Sequence, residues 1–231
     1  MITVRKSENR GHADHGWLNA KHTFSFADYR DPDHMGFRAL RVINQDIVAP
    51  RTGFGEHPHR NMEIITYPLS GQIRHADSLG HAEDIGHGTV QAMTAGRGIR
   101  HSETNPHDEP LHLLQIWIEP RETGLQPAHA SRSFPITSET GRLHQLVSPD
   151  GAEGSLVIQQ DARLFAGVFD QGSEETVALG ANRYAWIQVV RGSVSVNGVG
   201  LHEGDAAAIS DETALGLRFA KDSEILLFHL N

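Results

Sequence analysis

Short apolar and β-branched runs recur along this chain at intervals of roughly 8–12 residues, each closed by Gly or Pro, and that rhythm admits few folds. Leu40–Val48 ends at Pro50, Leu111–Ile118 at Pro120, and Ser193–Val196 runs into Asn197-Gly198, the strongest short hairpin signal present. His22-Thr-Phe24-Ser-Phe26 alternates polar and aromatic residues and is expected to be a strand. Helical periodicity over any useful length is missing. The pattern predicts an all-β sandwich or barrel.

The pattern also repeats. Pro68-Leu-Ser-Gly71-Gln-Ile-Arg followed by Gly88-Thr-Val-Gln-Ala resembles Val190-Arg-Gly192-Ser-Val-Ser followed by Gly204-Asp-Ala-Ala-Ala. Two β-barrels from an internal duplication are expected, with the boundary in the Pro- and Gly-rich stretch 119–142, giving domains 1–125 and 126–231. Aligning Gly71 with Gly192 sets His57 against Ala178 and His59 against Gly180. Aligning Gly88 with Gly204 sets His101 against Leu217 and Glu103 against Phe219. The second copy is therefore expected to carry no ligand, so the ligands are not needed to fold this unit.

The chemistry concentrates between Gly55 and Glu103. His57-Pro-His59 and His101-Ser-Glu103 each carry two donors one residue apart, which in extended chain places both on one face. Glycine-rich turns between them would fold the two pairs together into a His/His/His/Glu metal site. Four protein ligands leave positions open on an ion that prefers six, the mark of a catalytic rather than structural site. Fe2+, manganese, nickel or cobalt would suit this set, with copper a further candidate, and zinc could bind it tetrahedrally with all positions filled. Glu63 rivals Glu103 as the carboxylate, or supports a ligand imidazole from behind. His75, His81 and His87 are read as solvated turn residues, His107 and His112 as possible outer supports, and Trp17, Phe24, Phe26, Phe37 and Trp117 as core.

Composition narrows the rest. Of 231 residues 16 are histidine and none is cysteine, which excludes disulfides and thiolate chemistry. The formal charge of -9 and the lack of a basic block disfavour nucleic acid as a partner. Neither a signal peptide nor a window of about 20 apolar residues is found, so a cytoplasmic protein with no membrane partner is expected. No phosphate loop, dinucleotide fingerprint or Gly-x-Ser-x-Gly elbow occurs. A monomer is expected, since two halves of one chain can cover each other's sheet edges.

Gly55-Glu-His-Pro-His-Arg-Asn-Met-Glu-Ile-Ile-Thr-Tyr67, Asp77-Ser-Leu-Gly80 and Thr94-Ala-Gly-Arg-Gly-Ile-Arg-His-Ser-Glu103 resemble the signature of the pirin family within the cupins. Phe24–Tyr29, Phe37–Asn44 and Leu113–Pro120 resemble it too. Two cupin features differ: Arg51 stands where a glycine precedes the first histidine, and Thr94-Ala-Gly96 replaces Pro-x-Gly. The resemblance implies a bicupin of two facing barrels with one metal, in the N-terminal barrel, on His57, His59, His101 and Glu103. It also implies oxygen-dependent opening of the heterocycle of flavonols such as quercetin, with loss of carbon monoxide and with Glu103 as the base. Two other functions stay open at this point: a metal- or redox-sensing binding protein with incidental quercetinase activity, and a structural zinc protein.

Overall fold

The structure, a computed structural model, describes residues 1–231. It is built of strands, with helix limited to two three-residue 3-10 turns, and no helix is long and apolar enough to cross a membrane. The strands are β1 (Ile2–Arg5), β2 (Gly11–Asp14), β3 (Leu18–His22), β4 (Leu40–Val48), β5 (Gly53–His59), β6 (Glu63–Ser70), β7 (Gln72–Asp77), β8 (Ala82–Gly86), β9 (Thr89–Thr94), β10 (Ile99–Thr104), β11 (Leu111–Ile118) and β12 (Ala128–Ser133). There follow β13 (His144–Ser148), β14 (Leu156–Val157), β15 (Arg163–Phe169), β16 (Glu174–Ala178), β17 (Tyr184–Arg191), β18 (Ser193–Val196), β19 (Val199–His202), β20 (Ala206–Ile209), β21 (Ala214–Phe219) and β22 (Ser223–Leu230).

The chain divides into two compact units. The N-terminal unit comprises residues 11–134 and 156–160, and the C-terminal unit takes residues 1–10, 135–155 and 161–231. One boundary between the units falls after Phe134, and residues 1–10 and 156–160 belong to a different unit from their neighbours in sequence. Residues 128–133, expected to be irregular, form β12, registered on β9 from Ala128 opposite Thr94 to Ser133 opposite Thr89. This strand is polar and mostly exposed, so hydrophobic patterning gives no sign of it. The expected strand at 22–26 stops at His22, because Ser25 turns to bond Asp31 and Phe26 pairs with Tyr29 across a turn that places Ala27 at φ 48°.

The duplication is legible strand by strand. One unit orders its sheets β12-β9-β6-β11-β4-β3-β2 and β5-β10-β7-β8; the other runs β1-β20-β17-β22-β15-β13 and β16-β21-β18-β19. Gly71 (φ 74°) and Gly192 (φ 80°) turn corresponding corners, in a left-handed conformation that suits glycine. A Cβ on Gly192 would lie 2.3 Å from the Asp222 carbonyl, so the corner has no room for one.

The two interiors differ. In the C-terminal unit one continuous cluster, including Phe169, Ile187, Leu215, Leu217, Phe219 and Leu227, fills the space between the sheets. In the N-terminal unit the apolar residues form separate clusters, one around Ile73, Leu111 and Leu113 and another around Ile64, Met93 and Ile99.

Candidate metal centre

Strands β10, β5 and β7 supply the histidines and acidic residues that face the N-terminal unit's interior. On β10 the residues Ile99, His101 and Glu103 alternate inward. β5 lies on one side, with His57 opposite His101 and His59 opposite Ile99; β7 lies on the other, with Asp77 opposite His101 and His75 opposite Glu103. The β5–β10 register shifts between His101 and Glu103, where Phe54 comes to face Glu103. This irregularity leaves His57 and His59 together at the end of β5. Gly53 makes the close approach possible, since a Cβ there would lie 2.5 Å from the Glu103 carbonyl.

The structure brings His57, His59 and His101 together. Their rings lie 4.5–4.8 Å apart, and one ring nitrogen from each lies within 4.8 Å of the others. His57 Nδ1 lies 2.8 Å from the Gly55 carbonyl, which holds its proton there and turns the Nε2 lone pair inward. That Nε2 faces His101 Nε2 at 3.1 Å. Burial, then the neighbouring His101 and His57 imidazoles, push His59 down to about 4. Burial, then His57 and His75, push His101 down to about 3. At neutral pH both rings are therefore uncharged and their lone pairs are available. Three converging imidazoles, one of them held through Nδ1 by a backbone carbonyl, fit a borderline divalent ion.

Glu103 sits two residues past His101, 4 % exposed, and its carboxylate groups with His101 and with His75. Thr66 donates to Oε1 (3.0 Å) or to Gln115 Oε1 (3.2 Å), having one proton for both, while Gln115 Nε2 donates to Glu103 Oε2 (2.7 Å). Neither Thr66 nor Gln115 has a ligand-like spacing, so the sequence gives no sign of them. Glu63 is not in this cluster. It is fully buried and accepts from the Thr94 hydroxyl (2.7 Å) and the Gln159 N–H (3.1 Å), so it anchors the 156–160 segment. Burial raises its pKa.

His57, His59 and Glu103 open onto a cavity of about 240 Å3. Its wall is largely apolar: Leu18 and Ala20 from β3, Phe54 from β5, and Phe26 and Trp117, expected to be core. Trp117 stands edge-on to His59 at 5.0 Å and to Phe26 at 5.4 Å. His22 with Asn44 (2.9 Å) and Asp46 complete the wall. Burial, then the charge of Glu103, push Asp46 up to about 7. His112 lies elsewhere, accepting from Gln45 Nε2 on the β4–β11 pair.

Register assigns what replaces the ligands in the second copy. His75 and Val196 are each the fourth residue after the corner glycine; Glu103 pairs with His75 and Leu217 with Val196. Glu103 thus corresponds to Leu217 and His101 to Leu215, whose partner Val177 corresponds to His57. Leu179 takes the place of His59. These positions differ from the expected Ala178, Gly180, Leu217 and Phe219 because the loops between corner and ligand have different lengths. The outcome for metal binding is the same: all four places are aliphatic and pack into the C-terminal core.

The family model Pirin matches residues 3–118, and the model for the quercetinase C-terminal cupin domain matches residues 145–230. The chain is 49 % identical over 232 residues to a quercetin 2,3-dioxygenase of Escherichia coli strain K12, covering 100 % of this chain and 99 % of that one. It is 44 % identical to a pirin-like protein of Caulobacter vibrioides, with 98 % of each covered. The crystal structure of the bacterial pirin YhhW from Escherichia coli in complex with nickel(II) superposes with a TM-score of 0.95 at 48 % identity, covering 100 % of this chain and 99 % of that one. Matched from end to end by bacterial pirins, in sequence and in strand order, this chain belongs to the pirin family.

Proposed function

We propose that this protein is a metal-dependent dioxygenase that opens the heterocycle of flavonols such as quercetin with dioxygen, releasing carbon monoxide. The observation that supports the reading is that His57, His59 and His101 converge, while the buried Glu103, grouped with His101, opens together with His57 and His59 onto an aromatic-lined cavity. His57, His59, His101 and Glu103 would hold one divalent ion, Fe2+ in our reading. Such an ion supplies Lewis acidity and a template for the enol oxygen.

The chain's own residues account for the other requirements. Phe26, Phe54 and Trp117 form a wall that suits flat aromatic rings and excludes water. Glu103 takes the proton of the flavonol hydroxyl, and Thr66 and Gln115 fix the direction of its two oxygens. The relatives named quercetin 2,3-dioxygenase support this substrate class. The protein would work as a cytoplasmic monomer, needing only the flavonol and dioxygen as partners.

Oxygen uptake with quercetin, measured alongside carbon monoxide release, tests the proposal. Uptake should vanish on chelation and in His101→Ala. Fully metal-loaded protein that consumes no oxygen with any flavonol would overturn it.

A further inference from the structure

A second cluster of potential metal ligands lies beside the first; His75 and Asp77 share the one-residue spacing of the first pairs, but nothing in the sequence joins them to His129. His75 and Asp77 come from β7 and His129 from β12, in the other sheet of the same unit. One ligand atom from each lies within 4.8 Å of the others. The His129 ring stacks on His75 at 4.7 Å and on His81 at 4.5 Å. His75 Nε2 and His81 Nδ1 each lie 3.1 Å from Asp77 Oδ2. The other oxygen, Oδ1, accepts the backbone N–H of Leu79 (2.8 Å) and of His81 (3.2 Å), which fixes the carboxylate with Oδ2 facing the rings. The His75 and Asp77 side chains are wholly buried and that of His129 is 3 % exposed. His81, 44 % exposed at the side chain, stands at the solvent end beside an open cleft that His129 and Glu83 also line.

Hydrogen bonding alone leaves this set incomplete. His129 Nε2 and Glu83 Oε1, 3.3 Å apart, are both buried without a hydrogen bond. Gln91 Oε1 is buried without one too, while Gln91 Nε2 lies 2.9 Å from His75 Nδ1. Half a turn of that amide would set Oε1 to accept a proton from His75 Nδ1. The lone pair of His75 Nε2 would then face Asp77 Oδ2, and two acceptors 3.1 Å apart call for either a second ring proton or a metal ion shared by both.

We propose that His75, Asp77 and His129 form a second site for a borderline divalent ion of the Zn2+ or Ni2+ class, with His81 and Glu83 at its mouth. A carboxylate with two or three imidazoles is the donor set such ions prefer. The site does not depend on the flavonol reading, nor on His57 or His59. Its nearest approach to the first set is through His75, whose ring is 5.3 Å from that of His101.

The test is zinc stoichiometry. The full chain is stripped with a chelator, titrated calorimetrically with Zn2+, desalted and assayed for bound metal. Wild type should hold two ions per chain. Asp77→Asn, which keeps the acceptor for Leu79 and His81 but removes the anionic ligand, should hold one, as should His129→Ala. His59→Ala should also hold one, having lost the other ion, and His59→Ala with Asp77→Asn should hold none. His202→Ala, at an exposed histidine of the C-terminal unit, should match wild type. If Asp77→Asn and His129→Ala retain all the zinc of wild type, the second site does not exist. If His129→Ala fails to fold, Asp77→Asn alone decides. A wild type holding one ion that Asp77→Asn abolishes and His59→Ala spares would uphold this site and refute the first.

Discussion

Gln115 Nε2 donates to Glu103 Oε2 over 2.7 Å, between two residues that are both buried inside the N-terminal unit. Glu103 therefore does not choose its own direction. A residue on β11 sets the plane of a carboxylate on β10, and Thr66 on β6 steadies the arrangement. A ligand or base needs such support, because a misdirected oxygen loses both roles at once.

Gln115→Leu should lower kcat or metal affinity by about 10- to 100-fold, the usual effect of removing an outer hydrogen-bond partner. It should also cost about 1–3 kcal/mol of stability by leaving Glu103 Oε2 buried without a donor. Gln115→Glu should not rescue it, since a second carboxylate would face the first. Steady-state kinetics and urea unfolding measure the two effects, and unchanged kcat with unchanged metal content would remove Gln115 from the site.

Trp117→Ala should act on substrate more than on chemistry. The indole stands against His59 and Phe26 and forms the cavity wall. Its loss should raise KM for quercetin by about tenfold or more, corresponding to about 1.4 kcal/mol of ring contact, with a smaller effect on kcat. A fall in kcat with KM unaltered would show that the indole positions the imidazoles and not the rings of the substrate.

Metal-free protein should lose stability on mild acidification. His59 at about 4 and His101 at about 3 lie below the unfolded value near 6.5, so between those values the unfolded chain binds more protons than the folded one. Stability should fall on balance as pH drops from about 6.5 towards 4, although Asp46, pushed up to about 7, and the raised Glu63 take up protons in the folded state and oppose the slope. His229, pushed down to about 4 by burial and then by Arg183 and Arg163, adds to the same slope. Urea midpoints at pH 7, 6, 5 and 4 measure it; His101→Ala should flatten the curve, and a level wild-type curve would contradict the burial of these rings.

Leu217→Ala removes the residue at the Glu103 position of the second copy. It should cost about 2–5 kcal/mol, as a fully buried leucine in a packed cluster, and leave metal content and kcat/KM untouched. A change in metal content would mean that the aliphatic copy is not independent of the metal centre.

The candidate donor pairs were legible because a strand repeats every two residues, so His-x-His and His-x-Glu declare a shared face without further information. The duplication was legible from its corner glycines, whose left-handed backbone has few other occupants. What joined the two pairs was not. Gln115, Thr66 and Asp46 come from strands whose polar residues look like ordinary alternation until the opposite sheet is in place. His75 and His129 are some fifty residues apart and meet only because β12 closes an edge that its own polar composition conceals. The apolar runs that made β4 and β11 obvious say nothing about which interior stays hollow; that followed only from seeing where the clusters break.

β1 pairs with β20 from Ile2 opposite Ile209 to Arg5 opposite Ala206, so its partner is made about two hundred residues later. During synthesis this strand must wait, unpaired, while the metal-binding barrel between them assembles. The C-terminal unit can complete this sheet only after β20 has been made, so its closure is a late, long-range event in folding.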